Sequence, residues 1–184
     1  MTVYINRVGS APDFDALPIA KLLDYPGEKR DFRPFAQAQF ALGEKALFVR
    51  LMAFEVDPDP QSRLSVALEG GVLLSCFPGG RLEELGGGGL GAKAQEIGSE
   101  DLQGIYWGAD LALPLAPLSN RLGRTPAVGM TMRGNVFKSL HGGKTGRDHF
   151  GCLFPCSPFD LGDEGQVRSF LAKPGFGELT IVGY

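Results

Sequence analysis

Sulfur, imidazole and indole are scarce in this chain, and each scarcity excludes something. Three cysteines (Cys76, Cys152 and Cys156) are an odd number and too few for a disulfide framework, so a reducing, cytoplasmic setting is expected. There are two histidines and no Cys-x-x-Cys. His149, Cys152 and Cys156 form a His-x2-Cys-x3-Cys run, which reads as buried thiols beside a hydrogen-bonded histidine rather than as a zinc site. No metal and no cofactor is assigned. No apolar run is long enough to cross a bilayer as a helix. The formal charge of −3, with basic residues spread along the chain, leaves no footprint for nucleic acid or a membrane surface. Residues 1–14 lack the apolar core and small-residue cleavage site of a secretory signal. Helical periodicity is also sparse: only residues 18–23 and 117–123 read as a turn or two of helix.

Glycine and proline, at 27 and 13 of 184 residues, are abundant instead and punctuate many short strand-like runs. Residues 35–42, "FAQAQFAL", alternate apolar Ala36, Ala38, Phe40 and Leu42 with Gln37, Gln39 and Ala41, giving one apolar and one largely wet face. Residues 43–45 turn the chain into 46–56, apolar on both faces apart from Arg50 and Glu55, as a central strand would be. Further runs lie at 63–69, 71–77, 104–115, 127–138 and 177–183, each bounded by Gly, Pro or Asp. The expected fold is all-β: an antiparallel β-sandwich with one or two short helical turns, forming one domain over residues 1–184.

Two glycine-rich segments resemble nucleotide loops and fail on context. "HGGKT" at 141–145 has Lys138 where a phosphate loop needs its first glycine, and two prolines rather than a helix follow it. "ELGGGGLGAK" at 84–93 has the dinucleotide glycine spacing without a preceding strand or following helix, and reads as a hairpin tip or sheet-edge loop. The carboxylate pairs Glu83–Glu84, Glu100–Asp101 and Asp163–Glu164 read as solvated charges, because neighbours on an extended chain point opposite ways. No nucleophile elbow occurs, and no catalytic constellation is identifiable.

One face is more suggestive. By strand parity Val128, Met130 and Met132 share one side of the 127–138 run, and Thr131, Arg133, Asn135 and Phe137 share the other. Lys138 then opens the loop that carries His141 and His149. Planar Arg and Asn groups can pair with vicinal hydroxyls, and an aromatic ring can cover the C–H side of a sugar.

The order of motifs "MRGNVFKSL…DHFGCLFP" and "FLAKPGFGELTI" resembles the C-terminal half of family 9-like carbohydrate-binding domains. Upstream, "IYWGADLALPLAPL" and "ALFVRLMAFEVDPD" are similar to that family's aromatic-rich and central strands, so the resemblance covers roughly residues 35–184. It implies a sandwich related to the DOMON-like domains whose loops gather a sugar or another polar small molecule without catalysis. On that basis Arg133, Asn135 and Lys138 are expected to bond hydroxyls and His149 to donate or orient. Phe154 and Trp107 would offer stacking faces, with Arg81 a further candidate on the loop after the fourth strand. The sequence departs from the family at the two clamp tryptophans: 59–69 has no aromatic, and the late position falls at Leu153. The alternative expectation is therefore a protein-interaction or scaffold sandwich that has lost its sugar site.

Overall fold

The computed structural model of the chain describes residues 2–28, 35–101, 104–144 and 148–183. Twelve strands are present among them: β1 (Val3–Arg7), β2 (Ala20–Lys21), β3 (Phe35–Leu42), β4 (Ala46–Phe54), β5 (Arg63–Leu68), β6 (Val72–Cys76), β7 (Leu82–Glu84), β8 (Lys93–Asp101), β9 (Gly104–Pro114), β10 (Thr131–Leu140), β11 (His149–Cys152) and β12 (Gly177–Val182). Two helices, α1 (Leu115–Leu122) and α2 (Glu164–Ala172), and a 3-10 turn at Phe14–Ala16 complete the elements.

The strands form one sheet in the order β7-β6-β5-β10-β12-β1-β3-β4-β9-β8, with β11 added beside β10 and β2 beside β3. The sheet folds over itself as a sandwich. Alternate residues from both halves meet in one core: Leu64, Val66 and Leu68 of β5 and Val136 of β10 join Phe40, Val49, Leu51 and Leu111 from the other half. The fold class expected from the sequence is the one observed. Within it, β1 runs parallel to both β12 and β3, whereas the other pairs are antiparallel.

The hairpin of β3 and β4 has the register its alternation predicts, from Phe35 opposite Phe54 to Leu42 opposite Leu47. The expectation that one β3 face is wet does not hold. Gln37 and Gln39 are both buried; the segment around Phe14 and Leu17 lies over Gln39, which donates to the carbonyls of both residues, at 2.6 and 2.9 Å. The charged interruption of β4 has a similar cause. Arg50 makes a two-pronged contact with Asp110 of the adjacent β9, at 2.7 and 2.8 Å.

Residues 18–23 contain strand β2, not a helical turn, since Ala20 and Lys21 pair with β3. The other expected turn is α1, ended by Gly123 at φ 68°, a left-handed cap suited to glycine. Helix α2 was not anticipated. Asp163 caps it, accepting from the N–H groups of Gly165 and Gln166 at 2.8 and 3.0 Å. Its buried face, Val167 and Phe170, roofs a second apolar cluster with Phe137, Phe150, Cys152 and Leu161 on the outside of the sheet.

Candidate functional site

Strand β10 carries the residues that the sequence singled out, and its parity is as expected: Arg133, Asn135 and Phe137 face one way, while Val136 and Lys138 face the other. What covers those faces was not foreseen. The α2 roof buries Phe137, whose ring meets Phe150, Phe159 and Phe170 at centroid distances of 5.4–5.5 Å. It is no exposed platform.

Asn135 is 1% exposed and its amide is spent on backbone. Nδ2 donates to the carbonyls of Phe154 (2.8 Å) and Gly175 (2.7 Å). Oδ1 accepts from the N–H groups of Val136 (2.8 Å), Leu153 (3.1 Å) and Phe154 (3.0 Å). The side chain thus pins the turn after β11 to the segment before β12, in place of the expected role on a ligand.

Lys138 points into the sandwich and is 0% exposed. Its Nζ lies 3.0 Å from each of three acceptors: Glu55 Oε1, Ser62 Oγ and His149 Nε2. Burial pulls the ammonium below the usual lysine value, and the carboxylates of Glu55 and Asp59 oppose that shift. An ammonium has only protons to give, so His149 accepts at Nε2 and the neutral ring carries its proton on Nδ1. Glu55 Oε2 in turn accepts from the indole N–H of Trp107 at 2.7 Å. The structure therefore brings together Trp107, Lys138 and His149, but through a half-buried carboxylate the sequence did not connect to them. The signal was there in Glu55, a charge in an otherwise apolar stretch.

The remaining candidates lie apart. Trp107 is 7% exposed and its ring belongs to the main core. Phe154 is also a core residue, with its ring in the space a side chain at 177 would need, which is why glycine stands there. Neither offers a stacking face. Arg133 is exposed and reaches the carbonyl of Phe176 at 3.4 Å. Arg81 is exposed too, packed over the Phe77 ring at 3.6 Å and paired with Glu83. His149 and Cys152 do not converge on a metal: the first meets Lys138, and the second lies 3.4 Å from Asp24. Among the described residues no group of three or more His, Cys, Asp or Glu side chains is arranged to hold one.

His149 also lines a cleft of about 500 Å3, open to solvent, between the β10–β11 connection and residues 158–162. Facing it are Arg63, His141, Asp148, Asp160 and Gln166, with Phe150 and Phe159 among its walls. His141 sits between two carboxylates, Nδ1 at 2.7 Å from Asp148 and Nε2 at 3.7 Å from Asp160. Arg63 donates to the carbonyl of Leu161 at 2.9 Å with its guanidinium over Phe77 at 4.8 Å. Arg63 and Asp160 were missed because only the fold brings their segments beside His149; Asp148, its chain neighbour, carried no signal of its own.

No family model matches the chain, and no curated protein sequence matches it. Solved structures do. A family 9 carbohydrate-binding module from Caldicellulosiruptor kristjanssonii, in complex with cellotriose, superposes with a TM-score of 0.65 at 13% identity, over 100% of this chain and 95% of that one. The same module with glucose matches at 0.65 and 13%, over 100% and 97%. A putative carbohydrate-binding protein from Bacteroides uniformis matches at 0.65 and 14%, over 98% of each chain. The chain has the fold of these modules along essentially its whole length.

Proposed function

We propose that this sandwich is a non-catalytic module that binds a carbohydrate or a similar polar small molecule in the cleft beside His149. The observation that carries the reading is the lining of that cleft. Imidazole, guanidinium, carboxylate and amide groups from four segments converge around aromatic edges, in a hollow within the roughly 300–1,000 Å3 typical of small-ligand sites. A sugar presents hydroxyls that both donate and accept, together with C–H faces that suit Phe150 and Phe159. The fold shared with carbohydrate-binding modules supports the same reading.

Binding fits these groups better than catalysis. Glycoside hydrolysis needs two carboxylates across the scissile bond, about 5–9.5 Å apart. Asp148 and Asp160 instead bracket an imidazole, with His141 between them. The histidine nearest the cysteines, His149, is engaged with Lys138 and serves no thiol as a base. Arg63, Asp160, His141 and His149 are the groups expected to meet hydroxyls. Without tryptophans on two sides, the ligand is held from one side and by polar contacts.

Calorimetric titration of the wild type, Asp160→Asn and Arg63→Ala with a panel of mono- and oligosaccharides tests the proposal. Saturable binding is expected, weakened by about tenfold in each variant, the loss typical of one removed hydrogen bond to a charged group. A folded wild type that binds no sugar in the panel refutes it and favours the scaffold alternative.

A further inference from the structure

The His149 cleft does not end at Arg63. On the other side of that residue lies a second hollow of about 600 Å3, and the two share Arg63, Leu161 and Gly162 as their common wall. That wall consists of the Arg63 guanidinium, bonded to the Leu161 carbonyl at 2.9 Å, and of Gly162, which has no side chain. The far hollow is lined by Glu83 and Glu84 of β7, by Gly86–Gly87, and by Glu164, Val167, Arg168 and Leu171 of α2.

The far groups are not equivalent. Glu84 already accepts from the N–H of Leu90 at 3.0 Å and holds the glycine-rich loop, whose carbonyl at Gly86 is bonded by Arg121 at 3.0 Å. That loop is thereby a fixed rim, and Glu84 is a structural group. Glu83 is steadied by Arg81 and stands 3.8 Å from Arg63. Glu164 and Arg168 lie one helical turn apart on the exposed side of α2, and Leu85 and Leu171 add an apolar wall. The far hollow thus offers carboxylates, a guanidinium and an aliphatic side directly beside the first cleft.

We infer that the two hollows are adjoining subsites of one groove, and that the ligand is an oligosaccharide lying across Arg63 rather than a single sugar. This rests on the proposed sugar reading of the His149 cleft. One ring occupies that cleft, and the next is held by Glu83, Arg168 and the aliphatic wall. Arg63, which both hollows touch, donates at the linkage between them.

Matched mono- and trisaccharides test it: glucose with cellotriose and with maltotriose, mannose with mannotriose, xylose with xylotriose, each titrated into the whole chain. For at least one series the trisaccharide is expected to bind about tenfold or more tighter than its monosaccharide. Arg168→Ala and Glu83→Gln should abolish that gain and leave monosaccharide affinity unchanged. Arg168 is exposed on a helix surface, so its truncation leaves the fold intact. Equal affinity for short and long ligands overturns the second subsite while the sugar reading stands. So does a loss in the two variants that falls equally on both. A chain that binds none of these sugars overturns both readings.

Discussion

Replacing Lys138 by methionine tests the buried network most directly. The variant keeps most of the volume but removes the cation from between Glu55, Ser62 and His149, each 3.0 Å away. Deleting one partner of a buried ion pair costs about 3–5 kcal/mol, because the other charge stays behind without compensation. Glu55 is 18% exposed and keeps its indole donor from Trp107, which places the expected loss at the lower end, about 3 kcal/mol. The reverse change, Glu55→Gln, leaves the more deeply buried ion. Lys138 can then shed its proton, and with an ordinary value of 10.5 that limits the cost at pH 7 to roughly 5 kcal/mol. Removing both charges should recover about 2 kcal/mol relative to the sum of the single changes.

Urea unfolding followed by emission of the lone tryptophan reads all four proteins, because Trp107 abuts the network and sits in the core. Burial lowers the folded-state value of Lys138, so between that value and 10.5 the unfolded chain binds more protons than the native one. Stability contributed by this group therefore rises with pH across that window, and the rise should vanish in Lys138→Met. A loss below about 1 kcal/mol for Lys138→Met, with a coupling near zero, would refute the assignment of Lys138 and Glu55 as mutually dependent buried charges.

Asn135→Ala strips partners from the buried carbonyls of Phe154 and Gly175 and from the Phe154 N–H, an expected loss of about 3–5 kcal/mol by thermal or urea unfolding. Asn135→Asp should be as unstable at pH 7, where a carboxylate faces those two carbonyls, and should regain stability on acidification as a protonated oxygen becomes a donor again. A pH-independent deficit contradicts the donor role. Burial pushes the Cys76 thiol up to about 12, so the unfolded chain ionises first and stability falls above pH 9. The expected drop between pH 8 and 10 is about 1.4 kcal/mol beyond that of Cys76→Ala, and an identical pH profile for the two proteins would count against it.

Much of the sandwich could be read from the sequence because strand parity is local. The alternation of residues 35–42 and 46–54 determines which side chains share a face, and the hairpin has that register. The position of β1 could not be read in the same way. A parallel partner arrives from elsewhere in the chain, and nothing in "VYINR" distinguishes a neighbour at residue 179 from one at 41. Helix α2 left a weak trace, since only Val167 and Phe170 of its nine residues are buried. Its cap, Asp163, was visible as a charge pair but not recognised as a helix start.

Asn135, Phe137 and Lys138 are buried rather than open to a ligand for one recurring reason. Parity says which face a residue is on, not what lies over that face. Asn135 and Phe137 do project from the outer side of β10, yet α2 and the turn after β11 cover them. Lys138, read as the opening of a loop, is a fully buried inward position of β10. Polar residues at such positions carry a different kind of information. Arg50, Glu55 and Gln39 each break an apolar pattern, and each has a specific partner in another segment.

The ion network and the cleft are joined at a single ring. Lys138 is costly to bury, and a methionine of similar shape with a neutral partner would fill the space without that cost. What the ammonium adds is direction. Because it can only donate, His149 accepts at Nε2, and protonating that nitrogen would set two cations 3.0 Å apart. The imidazole that lines the cleft is thereby held in one orientation. For the proposed sugar site, which has no aromatic clamps to trap a ligand, such fixed geometry matters, since every freely rotating group would surrender part of each hydrogen bond to ordering entropy.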